Sequence, residues 1–373
     1  MSVNNLYRTL LCSLLLLAAC RKDIVLPQVD SVDISGYSRP HDITPAMQGL
    51  YVLNEGNMNM NKASLDYLDL ATGRYSRRLF EAYNPEVTKG LGDVGNDIQI
   101  YGSKMYIVVN NSNKVEVVDA ATVTRIKQLN IRQCRYVVFY KGNAYITSND
   151  GYVSVVDTAS LTETGRIKTG RNPEQMAISG NKLYVANSGG YSPPNYERTV
   201  SVINLDTQQE LKRIDVAINL DRLALDPYGD LYVTSRGDYY TVPSRLYVID
   251  THTDTVKKQF NIAASNIFIH KDLAYIYSVA WSYITHSNTI SYALINVKDD
   301  TLLTKQFITD GTDKQIVIPY GILVDPDTED VYVSDALDYV SPGILYCFDK
   351  SGKKKWSVET GDIPGHFVFL KKN

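Results

Sequence analysis

Lys182-Leu183-Tyr184-Val185-Ala186-Asn187, then Val200-Ser201-Val202-Ile203-Asn204, is a pair of alternating strands closed by an amide, and the chain repeats it seven times. The triplet recurs as Leu50-Tyr51-Val52, Met105-Tyr106-Ile107, Ala144-Tyr145-Ile146, Leu231-Tyr232-Val233, Ala274-Tyr275-Ile276 and Val331-Tyr332-Val333. The strand after each copy ends in Asp69, Asp119, Asp157, Asn204, Asp250, Asn296 or Asp349. Asp and Asn belong there because their side chains bond the backbone two residues on and close a tight turn. A third strand precedes each triplet from the second copy onward, as in Asp97-Ile98-Gln99-Ile100 and Gly321-Ile322-Leu323-Val324. The first triplet has no such strand upstream; the missing piece is His366-Phe367-Val368-Phe369 at the other end of the chain.

Residues 49–373 shared among seven units give about 46 residues each, the length of a four-stranded propeller blade. Helical periodicity with caps is nearly absent. The expected fold is therefore an all-β, seven-bladed β-propeller, closed when the C-terminal strand pairs with the first blade. Composition agrees: 28 Tyr against 8 Phe and 2 Trp suits half-exposed strands. A formal net charge of −3 supplies no basic excess for nucleic acid.

The first 19 residues read as an export signal, with Arg8 before the apolar run Leu14-Leu15-Leu16-Leu17. Leu17-Ala18-Ala19-Cys20 resembles a bacterial lipobox, which implies cleavage before Cys20, lipidation of its thiol and, with Arg21 following, an outer-membrane location. Residues 20–48, with Pro27, Gly36, Pro40 and Pro45, lack a sustained period and read as a lipidated flexible tether. Cys134 and Cys347 are expected to be core fillers rather than a disulfide.

The blades themselves, with Arg245-Leu246-Tyr247-Val248-Ile249-Asp250-Thr251 and the Gly170-Arg171-Asn172-Pro173-Glu174 link, resemble the YVTN-type propeller repeat. With a lipobox and tether in front, the whole chain is similar to the surface lipoproteins that capture vitamin B12 in gut bacteria. That resemblance implies a corrinoid ligand (cobalamin), passed to a TonB-dependent outer-membrane transporter. No HExxH, GxSxG, P-loop or GxGxxG signature stands in its required setting, so no enzyme activity, catalytic residue, resident cofactor or metal is expected.

In a propeller the loops between the second and third strands share a face with the links between blades. Here those loops are unequal: Asn110 to Asn113 and Ser148 to Gly151 are minimal, whereas 54–62, 187–198, 235–243, 279–288 and 334–342 are long. Long loops on a rigid scaffold are where binding residues concentrate. Their content is aromatic and amide-rich, which would suit a corrin ring, an oligosaccharide or a protein partner. The candidate ligand residues are Asn57, Asn187, Tyr191, Tyr196, Arg236, Tyr239, Tyr240, Trp281, Tyr283 and Tyr339 from the loops. Arg135, Asn172, Arg222, Tyr320 and His366 join them from the links. Two other functions remain open: an interaction platform within an outer-membrane complex, and an axial-metal hydrolase or lyase using Glu55, Asn96, Glu174 and Asp221.

Overall fold

The computed structural model describes residues 29–39, 45–282 and 286–372. Seven antiparallel sheets follow one another around an axis, and each is a blade. Blade 4 shows the plan: Pro173–Ser179 lines the axis, then Lys182–Asn187, Thr199–Asn204 and Gln209–Asp215 step outward. Blade 1 is assembled from both ends of the chain. Its inner strand is Pro364–Lys371, paired antiparallel with Met47–Asn54 through Tyr51↔Val368 and Leu50↔Phe369. Backbone hydrogen bonds therefore close the ring, as the sequence predicted.

The triplet's role follows from the two-residue period of a strand, which sends successive side chains to opposite faces. Leu183 and Val185 pack into the cluster shared with blade 3, and Tyr184 packs into the cluster shared with blade 5. Leu231 and Val233 then face blade 4, while Tyr232 faces blade 6. The same division holds at every joint, so the triplet fills the space between blades rather than the interior of one. The ring fits the wide part of the wedge, and at three joints its hydroxyl finds a partner across it, whereas the Tyr106 hydroxyl is buried without one. Tyr51 donates to Ala120 O at 2.7 Å, and Tyr184 to Thr251 O at 3.1 Å and Asp254 Oδ1 at 2.5 Å. Tyr232 donates to Asp300.

The strand-ending acids and amides act as the turn chemistry required. Asp157 Oδ1 accepts from Ser160 N at 2.7 Å, Asn204 Oδ1 from Thr207 N at 2.9 Å, and Asp119 Oδ1 from Thr122 N at 2.9 Å. These backbone donors hold the Asp119 and Asp157 carboxyls below the usual carboxylate range. Cys134 and Cys347 are free and buried, and burial pushes the Cys134 thiol up to about 12.

Two segments differ from expectation. Within the stretch read as a flexible tether, Asp30–Asp33 forms a fifth, outermost strand on blade 1, paired with Arg74–Arg77. The reading missed it because a solvent-facing edge strand need not alternate; it is held instead by Ile34, 8 % exposed, and by Tyr37 against Trp356. The loop expected at 279–288 is largely strand. Leu273–Ser282 and Ser287–Asn296 continue as a ladder to Trp281↔Asn288 and Ser282↔Ser287, which raises Trp281 above the ring.

Candidate functional site

The face bearing the second-to-third loops and the blade links will be called the upper face. At its centre, the start of each inner strand delivers one side chain to the axis. A left-handed residue stands two positions before it in Gln133-Cys134-Arg135, Asn172-Pro173-Glu174 and Asn219-Leu220-Asp221, with φ of 47°, 47° and 54°. The result is a ring of alternating charge. Arg135 grips Glu174 Oε2 through Nε at 2.9 Å and Nη2 at 2.7 Å, and Arg135 also donates to Asn96. Arg236, from the blade 5 loop, lies 3.4 Å from Glu174 Oε1 and 2.8 Å from Asp221 Oδ1. Arg222 sits over the Tyr136 ring at 5.3 Å, with Nε 3.7 Å from Asp221. On the opposite side, Glu55 joins His366 Nε2 at 2.9 Å and the Tyr320 hydroxyl at 2.9 Å. The nearby carboxylates and Tyr136 hold Arg135 and Arg222 firmly charged despite burial.

Above this ring lies a cavity of about 190 Å³ between blades 3, 4 and 5, with Arg135, Glu174 and Arg236 as its floor. Asn172, Tyr191 and Tyr239 form its wall. A wider hollow of about 480 Å³ opens from it toward the rim between blades 3 and 4, sharing Asn149, Asn172 and Tyr191. Tyr191 is held at both ends: its hydroxyl accepts from Asn149 Nδ2 at 3.2 Å and its N–H donates to Asn172 Oδ1 at 3.3 Å. The residue is nevertheless 65 % exposed. The side chain is immobilised and its face is left free, which lowers the entropy lost on binding a flat ligand.

Two loops present tyrosine by one device. Asp238 Oδ1 accepts from the N–H groups of Tyr240, Thr241 and Val242 at 2.9, 2.8 and 2.7 Å, and Asp338 Oδ1 from those of Val340 and Ser341 at 2.9 and 2.7 Å. These bonds lower both carboxyls to about 2. The residue after each Asp is a tyrosine in the left-handed region, Tyr239 at φ 66° and Tyr339 at φ 63°. Bulky residues seldom occupy that region, and such strain persists where the surroundings enforce it. Tyr339 O also accepts from Asn57 Nδ2 at 2.9 Å, and its ring meets Tyr320 at 5.9 Å, so blades 1 and 7 are linked at the rim.

Of the residues expected to bind ligand, Arg135, Asn172, Tyr191, Arg236 and Tyr239 come together around one cavity. Tyr320, His366 and Arg222 lie around the axial ring beside it. Tyr240, Trp281 and Tyr339 stand exposed on the rim, and Tyr196 is half-buried in the blade 4 loop. Asn187 does not belong to the site. It is fully buried, donates to Thr199 Oγ1 and Ser201 Oγ, and accepts from Gly170 N at 3.1 Å. It locks the incoming link, as Ser148 and Ser235 do in blades 3 and 5 by donating to Arg132 O and Ile218 O. Gly170 is required there because a Cβ would fall 2.5 Å from Asn187 Cγ. Tyr283 and Cys20 lie outside the described residues.

Asn149 and Asn219 were missed, although Asn219 repeats the link position of Asn172 one blade on. The four residues considered for an axial metal are engaged otherwise: arginines take Glu174 and Asp221, His366 and Tyr320 take Glu55, and Asn96 donates to Arg135 O at 2.6 Å. Among the described residues, no group of three or more His, Cys, Asp or Glu side chains is placed to hold a metal ion.

No protein of curated function matches the chain. Among solved structures it is similar to a quinoprotein alcohol dehydrogenase-like protein from Bacteroides thetaiotaomicron, with a TM-score of 0.62, 16% identity, and coverage of 87% of this chain and 78% of that one. It is also similar to the hydrazine synthase of Kuenenia stuttgartiensis, with a TM-score of 0.55, 18% identity, and coverage of 69% and 76%. At such identities the likeness concerns the fold alone. Residues 48–369 match one family over nearly the whole propeller, and the chain belongs to it: DUF5074, a domain of unknown function.

Proposed function

We propose that this protein is a lipid-anchored surface protein that captures a corrinoid on the upper face and releases it to a TonB-dependent outer-membrane transporter. The observation that carries the reading is the set of fixed, exposed aromatic faces around the cup. Tyr191 and Tyr239 are tied by hydrogen bonds or held in a strained backbone, beside a floor whose arginines are matched by carboxylates. A large, amide-fringed ring with no strong net charge needs flat apolar contacts and paired polar groups rather than a charged clamp. A carrier must also let go, which favours stacking over a covalent or metal bond; no enzymatic step is proposed.

Titration calorimetry with cyanocobalamin tests the reading. Heat saturating at one ligand per chain is expected, weakened by Tyr191→Ala; no heat at micromolar protein would overturn it. An interaction platform is the second reading, favoured by Met58 and Met60, which stand 56 % and 59 % exposed on the blade 1 loop, across the upper face from the cup.

A further inference from the structure

The upper face is also the face from which the N-terminal segment departs. Strand Arg74–Arg77 starts at the lower turn, where Gly73 N donates to Asp69 O at 2.9 Å, and climbs to the upper link containing the short helix Leu79–Tyr83. The added strand runs against it, Asp30↔Arg77 at the top and Asp33↔Arg74 at the bottom. Val29, the first described residue, accordingly packs at the upper end, against the cluster that holds Leu79, Phe80 and Leu91. From there the segment descends the outer edge of blade 1 and is fastened all the way down. Ser31 Oγ meets Ser76 Oγ at 2.9 Å, Ile34 N donates to Gly73 O at 3.0 Å, and the Tyr37 hydroxyl donates to Leu70 O at 2.7 Å. At its lower end Arg39 pairs with Asp325 at 3.2 Å and Asp327 at 2.8 Å, both in blade 7.

We infer that residues 29–39 are an orienting strap: an anchor upstream of Val29 turns the cup, not the lower face, toward the lipid surface that carries it. The inference rests on the reading of Cys20 as the anchored residue. Nine residues from Arg21 to Val29 reach at most about 30 Å when fully extended. Strand Met47–Asn54 makes blade 1 about 26 Å tall, so bringing the lower face to the membrane would use nearly the whole reach at full extension, whereas the upper edge approaches it with slack chain. A second observation points the same way. Exposed large apolar side chains gather on the upper face, among them Met60 at 59 %, Tyr191 at 65 %, Tyr240 at 77 % and Val340 at 58 %. The lower face exposes fewer, Tyr101 at 37 % and Tyr228 at 43 %, and its outer turns are capped by Asp119, Asp157, Asp250 and Asp349. Aromatic and apolar rims of this kind suit the polar–apolar boundary at a membrane.

The test keeps the geometry separate from the lipid chemistry. Residues 1–19 are replaced by a hexahistidine tag, Cys20→Ser is introduced, and the protein is bound to phosphatidylcholine vesicles containing a nickel-chelating lipid. A fluorophore is placed at Met60→Cys on the upper loop of blade 1 or at Ala71→Cys on its lower turn; the two native cysteines are buried and do not compete. With a quencher carried on the lipid headgroups, the Met60 site should be quenched at least about twofold more than the Ala71 site, since headgroup quenching falls steeply with distance. Val32→Pro combined with Ile34→Asp should detach the strap and bring the ratio close to one. A ratio at or below one in the parent, or one unchanged by the double substitution, overturns the inference. The mass of Cys20 in the native membrane-extracted protein separately tests the anchor, so the two failures are told apart.

Discussion

Blades 2 and 3 and blades 5 and 7 are built alike below and differently above. In both pairs an Asp caps the lower turn and a triplet tyrosine fills the next joint. On the upper face, blades 2 and 3 turn in four and three residues, between Val109 and Lys114 and between Ser148 and Tyr152. Blades 5 and 7 instead raise loops in which an Asp organises the backbone and forces the following tyrosine outward. The lower half is under one demand, that seven wedges close a circle. The upper half is free of that demand, and its loops vary in length and in the side chains they present from blade to blade.

Four substitutions or conditions would break or sharpen this contrast. The largest effect belongs to the shared lower architecture. Tyr184→Ala empties the joint between blades 4 and 5 and should cost about 3–5 kcal/mol in denaturant unfolding, as for other buried aromatics. Asn187→Ala should cost about 2–3 kcal/mol, because Gly170 N and two hydroxyls lose their partner in a dry site. If Asn187 served the ligand instead, affinity would fall while stability held. Tyr239→Ala should do the reverse of Tyr184→Ala: stability within about 0.5 kcal/mol of the parent, and cyanocobalamin affinity lower by about tenfold, or 1.4 kcal/mol. The smallest effect is that of pH. Asp238 and Asp338 have carboxyls lowered from 3.8 to about 2 in the folded chain. Their contribution is therefore complete above about pH 4 and is lost as pH falls toward 2. Amide exchange at Tyr240–Val242 should accelerate across that window and stay flat from pH 5 to 8 once corrected for intrinsic rates.

Most of the ring was legible in the chain, and the site only in outline. Tyr191 and Tyr239 could be picked out because exposed aromatics in long loops are costly without a use. Asn187 misled, since its type and its position at a loop start look the same whether it faces a ligand or a buried glycine amide. Arg222 and Asp221 are neighbours in the chain, and both were candidates for the centre; the structure gives the position equivalent to Arg135 and Glu174 to Asp221, because a left-handed link residue two positions earlier sets that register, and φ is not written in an asparagine. The strand Asp30–Asp33 escaped for a related reason, its pairing being decided by the edge it meets rather than by its own pattern.

By itself the sequence determined the number of blades, the strand that closes them and the chemistry of the lower turns. Each of these depends on residues close together in the chain or on a period that survives without coordinates. Only the tertiary structure decided which charges cancel at the axis, which amides are spent inside the scaffold and from which face the N-terminal segment departs. Arg135 and Glu174 are 39 residues apart, and Arg236 and Glu174 are 62. Which long-range pairs meet is set by the angle between wedges, and no local pattern carries that angle.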